Sequence, residues 1–263
     1  MLFRRIQRAL DRKLLGPSSA LPMDKREGGI FSPFMPAVPR ETSPMPDPNT
    51  VFLPKRVAVL LDGGFLLRAL YKELGRRHAS AQEVWDFARA CLPEREELFR
   101  IYFNDCSPYS GSADHPVTRQ RVEFSKEPTY RRREELHERL ARMDYVALRR
   151  GELAFRGWKL KEKALDEIVT TGRAVLQQDY VPNFEQKRVD MKIGLDVAWL
   201  ASRRIVDRTI PVAADSDFTP AVKFARREGI QVVLDTMGYP LKGDVRGHAD
   251  EVRKVTFPPP VTL

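Results

Sequence analysis

From Lys55 onward the chain repeats one pattern, a short aliphatic run followed by an amphipathic stretch of helical period. "RVAVLLDGG" stops at Asp-Gly-Gly and leads into "FLLRALYKELG", with Gly75 as the stop. "SAQEVWDFARACL" is a second predicted helix, with Ser80 and Glu83 spaced as a capping box. "ELFRIYFND" is a second strand ending at Asn104 and Asp105, and "EPTYRRREELHERLARM" a highly charged helix. "YVALRRGELAFRGWKLK" alternates around Arg150-Gly151, as a hairpin or as an extended ribbon. "KALDEIVTTGRAVLQ" and "VDMKIGLDVAWLASRRI" are predicted helical, and "RTIPVAAD" is a strand. "TPAVKFARREG" is a helix stopped by Gly229, and "IQVVLDT" a last buried strand. Strands alternating with helices predict a doubly wound α/β domain, a mostly parallel sheet with helices on both faces.

The first 54 residues differ. "MLFRRIQRALDRKLLG" places Leu2, Phe3, Ile6, Leu10, Leu14 and Leu15 opposite a basic face, a short amphipathic helix. It reads as a membrane-surface anchor, a targeting peptide or a nucleic-acid arm. It also reads as a loosely attached helix, or as a start upstream of Met23, Met35 or Met45. Residues 16–54 hold nine prolines and few large apolar groups, the composition of a linker. The expected layout is this segment, a domain over 55–257 with a basic α+β insert at 107–182, and a tail at 258–263.

The net charge is +9 over 263 residues, which favours a polyanionic partner. Residues 1–55 hold nine Lys/Arg and five Asp/Glu, so the body is only modestly basic. Two cysteines, Cys91 and Cys106, make no disulfide framework, and His78, His115, His137 and His248 are too scattered for a zinc site. A reduced, cytoplasmic protein without a transmembrane helix is the simplest expectation.

In a doubly wound sheet, ligands bind beyond the carboxyl ends of the strands. Asp62 ends the first strand, Asn104 and Asp105 the second, and Asp215 follows "TIPVAA" with Asp217 two residues on. Asp190 opens the strongest helix, and Asp196 lies about 240° around it, at 100° per residue, as a second-shell or helix-face residue. Each acid has a structural alternative. Asp62 before Gly63-Gly64 could serve a turn and Asp190 could cap its helix. Asp217 could cap the next helix, although Thr219 before Pro220 is the better candidate. Two carboxylates 4 Å apart repel by about 4 kcal/mol at an effective dielectric near 20. Several around one crevice call for a cation, and hard oxygen ligands favour Mg²⁺ or Mn²⁺. No Walker loop or G-x-G-x-x-G is present, and no His or Cys sits where a nucleophilic triad would need it.

"VAVLLDGGFL", "FRIYFNDCSPYSG", "KRVDMKIGLDVAWLA" and "AADSDFTPAVKFARREGIQVVL", in this order, resemble the NYN domain family (the LabA-like, DUF88 branch) of PIN-like nucleases. The later "HADEV" also fits, so the resemblance covers about 55–257. It implies a metal-dependent ribonuclease, with Asp62, Asp190 and Asp215 as metal ligands and Asp217 orienting or deprotonating the attacking water. Asp196, Asn104 and Asp105 would support them. The family usually carries Ser/Thr-Gly where this chain has Ala213-Ala214, which removes a hydroxyl and a residue free to take positive φ. Within the insert, Arg131, Arg132, Arg133, Arg149, Arg150, Arg156, Trp158, Lys159 and Lys161 could hold single-stranded RNA. They could equally be a solvated charged helix and a core tryptophan. The leading reading is an endoribonuclease, possible as a homo-oligomer, and the second a non-catalytic RNA-binding or regulatory module. A phosphatase with an Asp nucleophile usually needs an acid two residues later, where Gly64 stands.

Overall fold

The aliphatic run Arg56–Asp62 forms β1, and its period-two alternation sends neighbouring side chains to opposite faces. Val57, Val59 and Leu61 enter one buried cluster with Leu66 and Leu70 of α1 (Gly63–Glu73) and Val84 and Phe87 of α2 (Ala81–Ala90). Ala58 and Leu60 enter the other, with Ile193 and Val197 of α5 (Val189–Ser202) and Val222 and Ala225 of α6 (Thr219–Arg227). A strand buried on both faces therefore requires a helical layer on each side. This computed structural model describes residues 53–241 and 245–257, so the expectations for residues 1–52 and for the tail lie outside the described residues.

The other strands are β2 (Glu97–Cys106), β3 (Ser112–Asp114), β4 (Arg121–Glu123), β5 (Val146–Leu160), β6 (Tyr180–Lys187), β7 (Arg208–Val212), β8 (Gln231–Asp235) and β9 (Glu251–Arg253). The remaining helices are α3 (Pro128–Ala141) and α4 (Glu162–Thr171). Seven strands make the main sheet in the order β6-β5-β2-β1-β7-β8-β9, while β3 and β4 pair apart from it. All its pairings are parallel except β5 with β6. The chain begins at β1, builds outward through β2, β5 and β6, then returns to build the other half from β7. The boundary between β1 and β7 is thus the point where strand order reverses, the place where this topology opens a crevice.

The α/β reading holds, and the local signals behind it are physical. Ser80 accepts from Glu83 N and Glu83 answers as a capping box. Gly75 (φ 68°) and Gly229 (φ 84°) follow α1 and α6 in the left-handed region glycine tolerates. Of the two alternatives around Arg150-Gly151, the extended ribbon holds: β5 is one strand of 15 residues. It pairs with β2 up to Gly151 and with β6 beyond it. Several boundaries differ. The helix expected over "KALDEIVTTGRAVLQ" ends at Thr171, because Gly172 takes φ 69°. The N-cap of α6 is Phe218, so Thr219 and Pro220 already lie inside its first turn and Thr219 is not the cap. β6 and β9 were not expected. β9 closes the sheet edge, with Asp250 Oδ2 accepting from Val232 N at 2.8 Å.

Beyond Cys106, the segment to Phe124 and the β5–β6 pairing beyond Gly151 make an arm with an aromatic core of its own, whereas α3 and the first part of β5, also within 107–182, pack on or pair into the main sheet. Tyr109, Phe124, Phe155 and Phe184 pack ring to ring, with centroids 5.3 to 5.8 Å apart. Trp158 joins Phe124, Phe155 and His115 and donates its indole N–H to Asp114 O at 3.0 Å. The ring offered as a stacking platform for RNA is therefore used inside the arm.

Candidate active site

Asp62 ends β1 and at once caps α1, its Oδ1 accepting from Phe65 N at 3.1 Å. The turn works because Gly63 has no side chain. A Cβ there would lie 2.7 Å from Asp105 Cβ and 3.0 Å from Asn104 O, so α1 starts flush against the end of β2. Asp62 pairs in register with Asn104. The turn reading and the site reading of Asp62 are therefore compatible.

Asp190 reaches the same edge by a different route. Gly151 lets β6 and α5 close in: a Cβ there would meet Val189 Cγ2 at 2.7 Å and Lys187 O at 2.8 Å. Arg188 takes φ 71° between β6 and α5, a left-handed conformation that costs about 1 kcal/mol. Asp190 then sits in the first turn of α5 rather than at its cap.

The electrostatics tie the acids together. Burial pushes the half-buried Asp62 carboxyl up to about 6. The Phe65 N–H and Arg68 oppose the rise, while the charges of Asp190 and Asp105 add to it. Asp190 is also raised, first by desolvation and then by the charges of Asp217 and Asp215. Asp190 thus feels the charges of Asp215 and Asp217 while adding its own to Asp62, and burial with these neighbours disfavours the charged form of Asp62 and Asp190. Among the described residues no three His, Cys, Asp or Glu side chains close around a single point. An open carboxylate edge fits Mg²⁺ or Mn²⁺ all the same, since Mg²⁺ takes one or two carboxylates and completes its octahedron with water and substrate phosphate.

The supporting residues divide. Asn104 and Asp105 are buried behind Asp62. Asn104 Nδ2 donates to Tyr102 O at 3.3 Å, and its Oδ1 has no partner. Asp105 Oδ2 receives Arg133 Nη1 and bonds His137 Nε2, both at 2.7 Å. Asp196 is drawn elsewhere: Arg149 holds it through Nε at 2.9 Å and Nη2 at 3.2 Å while lying 5.2 Å above the Tyr102 ring. This pair fastens α5 to β5. A double-mutant cycle of Arg149→Ala and Asp196→Ala, read by urea denaturation, is expected to give a coupling of about 1 kcal/mol.

Most of the insert's cations are likewise paired. Arg150 Nη1 bonds Glu134 at 2.8 Å, Arg156 Nε bonds Glu185 at 2.5 Å, and Lys161 Nζ donates to Gln178 O at 2.6 Å. Lys159 lies 3.8 Å from Glu162, and Arg131 is exposed on α3. Arg133 turns toward a cleft of about 690 Å³ that Asp62, Ala214 and Asp215 also line, and Arg132 bonds His78, another of its lining residues. Phe65, Arg68, Lys72 and Tyr239 line the same cleft. Sequence reasoning missed Arg68, His137 and Tyr239. Arg68 could have been found from the α1 spacing Asp62, Phe65, Arg68, and His137 from its i+4 relation to Arg133.

Ala213 and Ala214 follow β7. Neither is among the residues with positive φ, so the backbone here does not need glycine. Ala213 N donates to Asp235 O at 3.1 Å, and Asp235 itself is occupied by Met237 N and Val255 N.

A doubly wound sheet with carboxylates at its strand reversal is shared by many nucleases, and fold alone does not choose among them. The sequence profile of the NYN domain matches residues 56–242, a span that runs from β1 past β8 and includes all four acids. Neither curated proteins nor solved structures offer a match. Since that profile covers more than half of its length, the chain belongs to the NYN domain family, a PIN-like nuclease family whose members are typically ribonucleases.

Proposed function

We propose that the chain is a metal-dependent endoribonuclease acting on single-stranded RNA. The observation that carries the reading is the upward push on Asp62 and Asp190 by burial and by neighbouring acids at the point where strand order reverses. Carboxylates raised by burial and by one another in a cleft are the pattern of a ligand site, and Asp62 fills that role while also capping α1. Asp62, Asp190 and Asp215 would hold Mg²⁺ or Mn²⁺, directly or through water. When bound there, such an ion would supply positive charge to phosphoryl oxygens. Asp217 orients the attacking water and takes its proton on a carboxylate oxygen. The oxygen of that water forms the new bond to phosphorus while one bridging P–O bond breaks.

Placement in the LabA-like, DUF88 branch, a cytoplasmic location and self-association belong to the same proposal. A membrane-surface role for residues 1–16 is not part of it, and among the described residues no helix is long and apolar enough to cross a membrane. The Ala213-Ala214 departure and the open carboxylate edge keep a second reading in play, a non-catalytic RNA-binding module.

Labelled single-stranded RNA incubated with Mg²⁺ or Mn²⁺, against EDTA, separates the two. Cleavage is expected with metal only, falling by about 100-fold or more in Asp62→Asn and in Asp215→Asn. Undiminished cleavage in EDTA or in both variants would sink the proposal. RNA bound by all three proteins and cut by none leaves the binding module.

A further inference from the structure

The cleft is lined by more than its acids. Beside Asp62 and Asp215 stand the cationic side chains Arg68 and Lys72 of α1 and Arg133 of α3. Arg68 stands close enough to Asp62 to lower its carboxyl, and its Nε donates to Gly64 O at 2.9 Å. Arg133 lines the cleft with about a third of its side chain exposed. A guanidinium has five donors, and Asp105 takes one through Nη1. Arg132 Nη1 sits 2.6 Å from His78 Nε2, so the imidazole accepts through that nitrogen while neutral. Burial and the charges of Arg132 and Arg133 lower the His78 imidazole accordingly. Phe65 and Tyr239 stand beside these groups, edge to face at 5.5 Å.

We infer that Arg68, Arg133 and the Arg132–His78 pair form a phosphate subsite, and that Phe65 and Tyr239 offer ring surface to the adjoining base. The RNA then crosses the cleft over α1 and not along the β5–β6 arm. This inference rests on the reading of the cleft as an RNA-cleaving site, and it names which phosphate contacts that site makes. Along the cleft Arg68, Lys72 and Arg133 outnumber the acids Asp62 and Asp215, a balance that favours a polyanion, and aromatic edges beside them suit an unstacked base. The arm lacks this combination: Arg150 and Arg156 are committed to Glu134 and Glu185, and Trp158 to the arm's own core.

Asp105 and His137 act as positioning residues. Asp105 is buried and holds Arg133 from behind, and buried His137 bonds the same oxygen. The guanidinium plane is thereby fixed before RNA arrives, which lowers the ordering cost of the contact.

The test is binding without chemistry. Fluorescence anisotropy of a labelled single-stranded RNA of about twelve nucleotides is measured in EDTA, over a range of salt, with the full chain. Arg68→Gln and Arg133→Gln are each expected to weaken binding about tenfold and to flatten the log–log salt slope by about 0.7. Asp105→Asn is expected to weaken binding less, with no additive effect once Arg133 is already Gln. Arg156→Gln, in the arm, is expected to leave affinity and slope close to wild type. Arg68 is exposed on α1, so its replacement probes the subsite without disturbing the buried Asp105. Unchanged affinity and slope in Arg68→Gln, or an equal loss in Arg156→Gln, overturns the subsite. Because no metal is present, these outcomes stand whether or not cleavage is ever observed, and a failure of the nuclease reading is recognised separately by its own assay.

Discussion

Asp62→Asn is expected to make the metal-free protein more stable at pH 7.5 while removing the RNA cleavage proposed for the metal-loaded protein. Asparagine keeps an oxygen for the Phe65 N–H, so the cap on α1 survives. What disappears is the cost of a charge at a half-buried site. The folded protein raises the carboxyl to about 6, from an ordinary value of about 4. Between these values the folded chain binds a proton more readily than the unfolded chain, so wild-type stability falls as pH rises through the window. Above about pH 6 the penalty is complete, and below about pH 4 it is absent. The full difference corresponds to about 3 kcal/mol at most, and solvent at the cleft reduces it. The variant should therefore gain about 1 to 2 kcal/mol in EDTA at pH 7.5 and nothing below pH 4, read as urea midpoints across pH. Added Mn²⁺ should reverse the order, since an ion that binds only the folded wild type stabilises it alone. A variant less stable than wild type at pH 7.5, or a gain independent of pH, contradicts this account of Asp62.

Gly63→Ala is expected to be strongly damaging at the site. The added Cβ would lie 2.7 Å from Asp105 Cβ, 2.9 Å from Phe103 Cζ and 3.0 Å from Asn104 O. Phe103 is fully buried and Asn104 O belongs to the backbone of β2, so neither can yield cheaply. The start of α1 must move instead, taking Asp62 with it. Overpacking of this kind costs about 2 to 3 kcal/mol, and displacement of a reacting group by 1 Å can cost about 100-fold in rate. Gly64→Ala is the control. Its Cβ would meet only the Gln186 amide at 2.9 Å and Asp62 Oδ1 at 3.4 Å, and a glutamine side chain can swing away. That change should be nearly neutral, helped by the higher helix propensity of alanine. Thermal unfolding of both variants checks the contrast, and equal losses would mean that the approach of α1 to β2 is not what Gly63 provides.

These two residues also show how the sequence carried its information. The β1, β2, β7 and β8 strands and their helices were legible because alternation, the Ser80–Glu83 box and glycine stops are local signals. Asp62 and Asp215 were legible as neighbours on one cleft because they follow β1 and β7, which are adjacent and parallel. β6 was not, since "YVPNFEQK" is polar, contains Pro182 and pairs antiparallel at the edge. Nor were the tasks of the insert's arginines. Arg149 meets Asp196, Arg150 meets Glu134, and Arg133 meets Asp105 across separations of 47, 16 and 28 residues, which no local spacing encodes. Asp105 was seen as a strand-end acid, yet its role is to hold a cation at the cleft. Asp196, expected as a second-shell or helix-face residue, lies on the helix face that Arg149 holds.

The central claim is that Asp62, Asp190 and Asp215 share a divalent cation. The most direct measurement is an anomalous difference map from crystals soaked in Mn²⁺. The account predicts a peak bounded by these three carboxylates at the β1–β7 reversal, lost in crystals of Asp190→Asn. Saturating Mn²⁺ with no peak among them, or with its only peak elsewhere on the molecule, contradicts it.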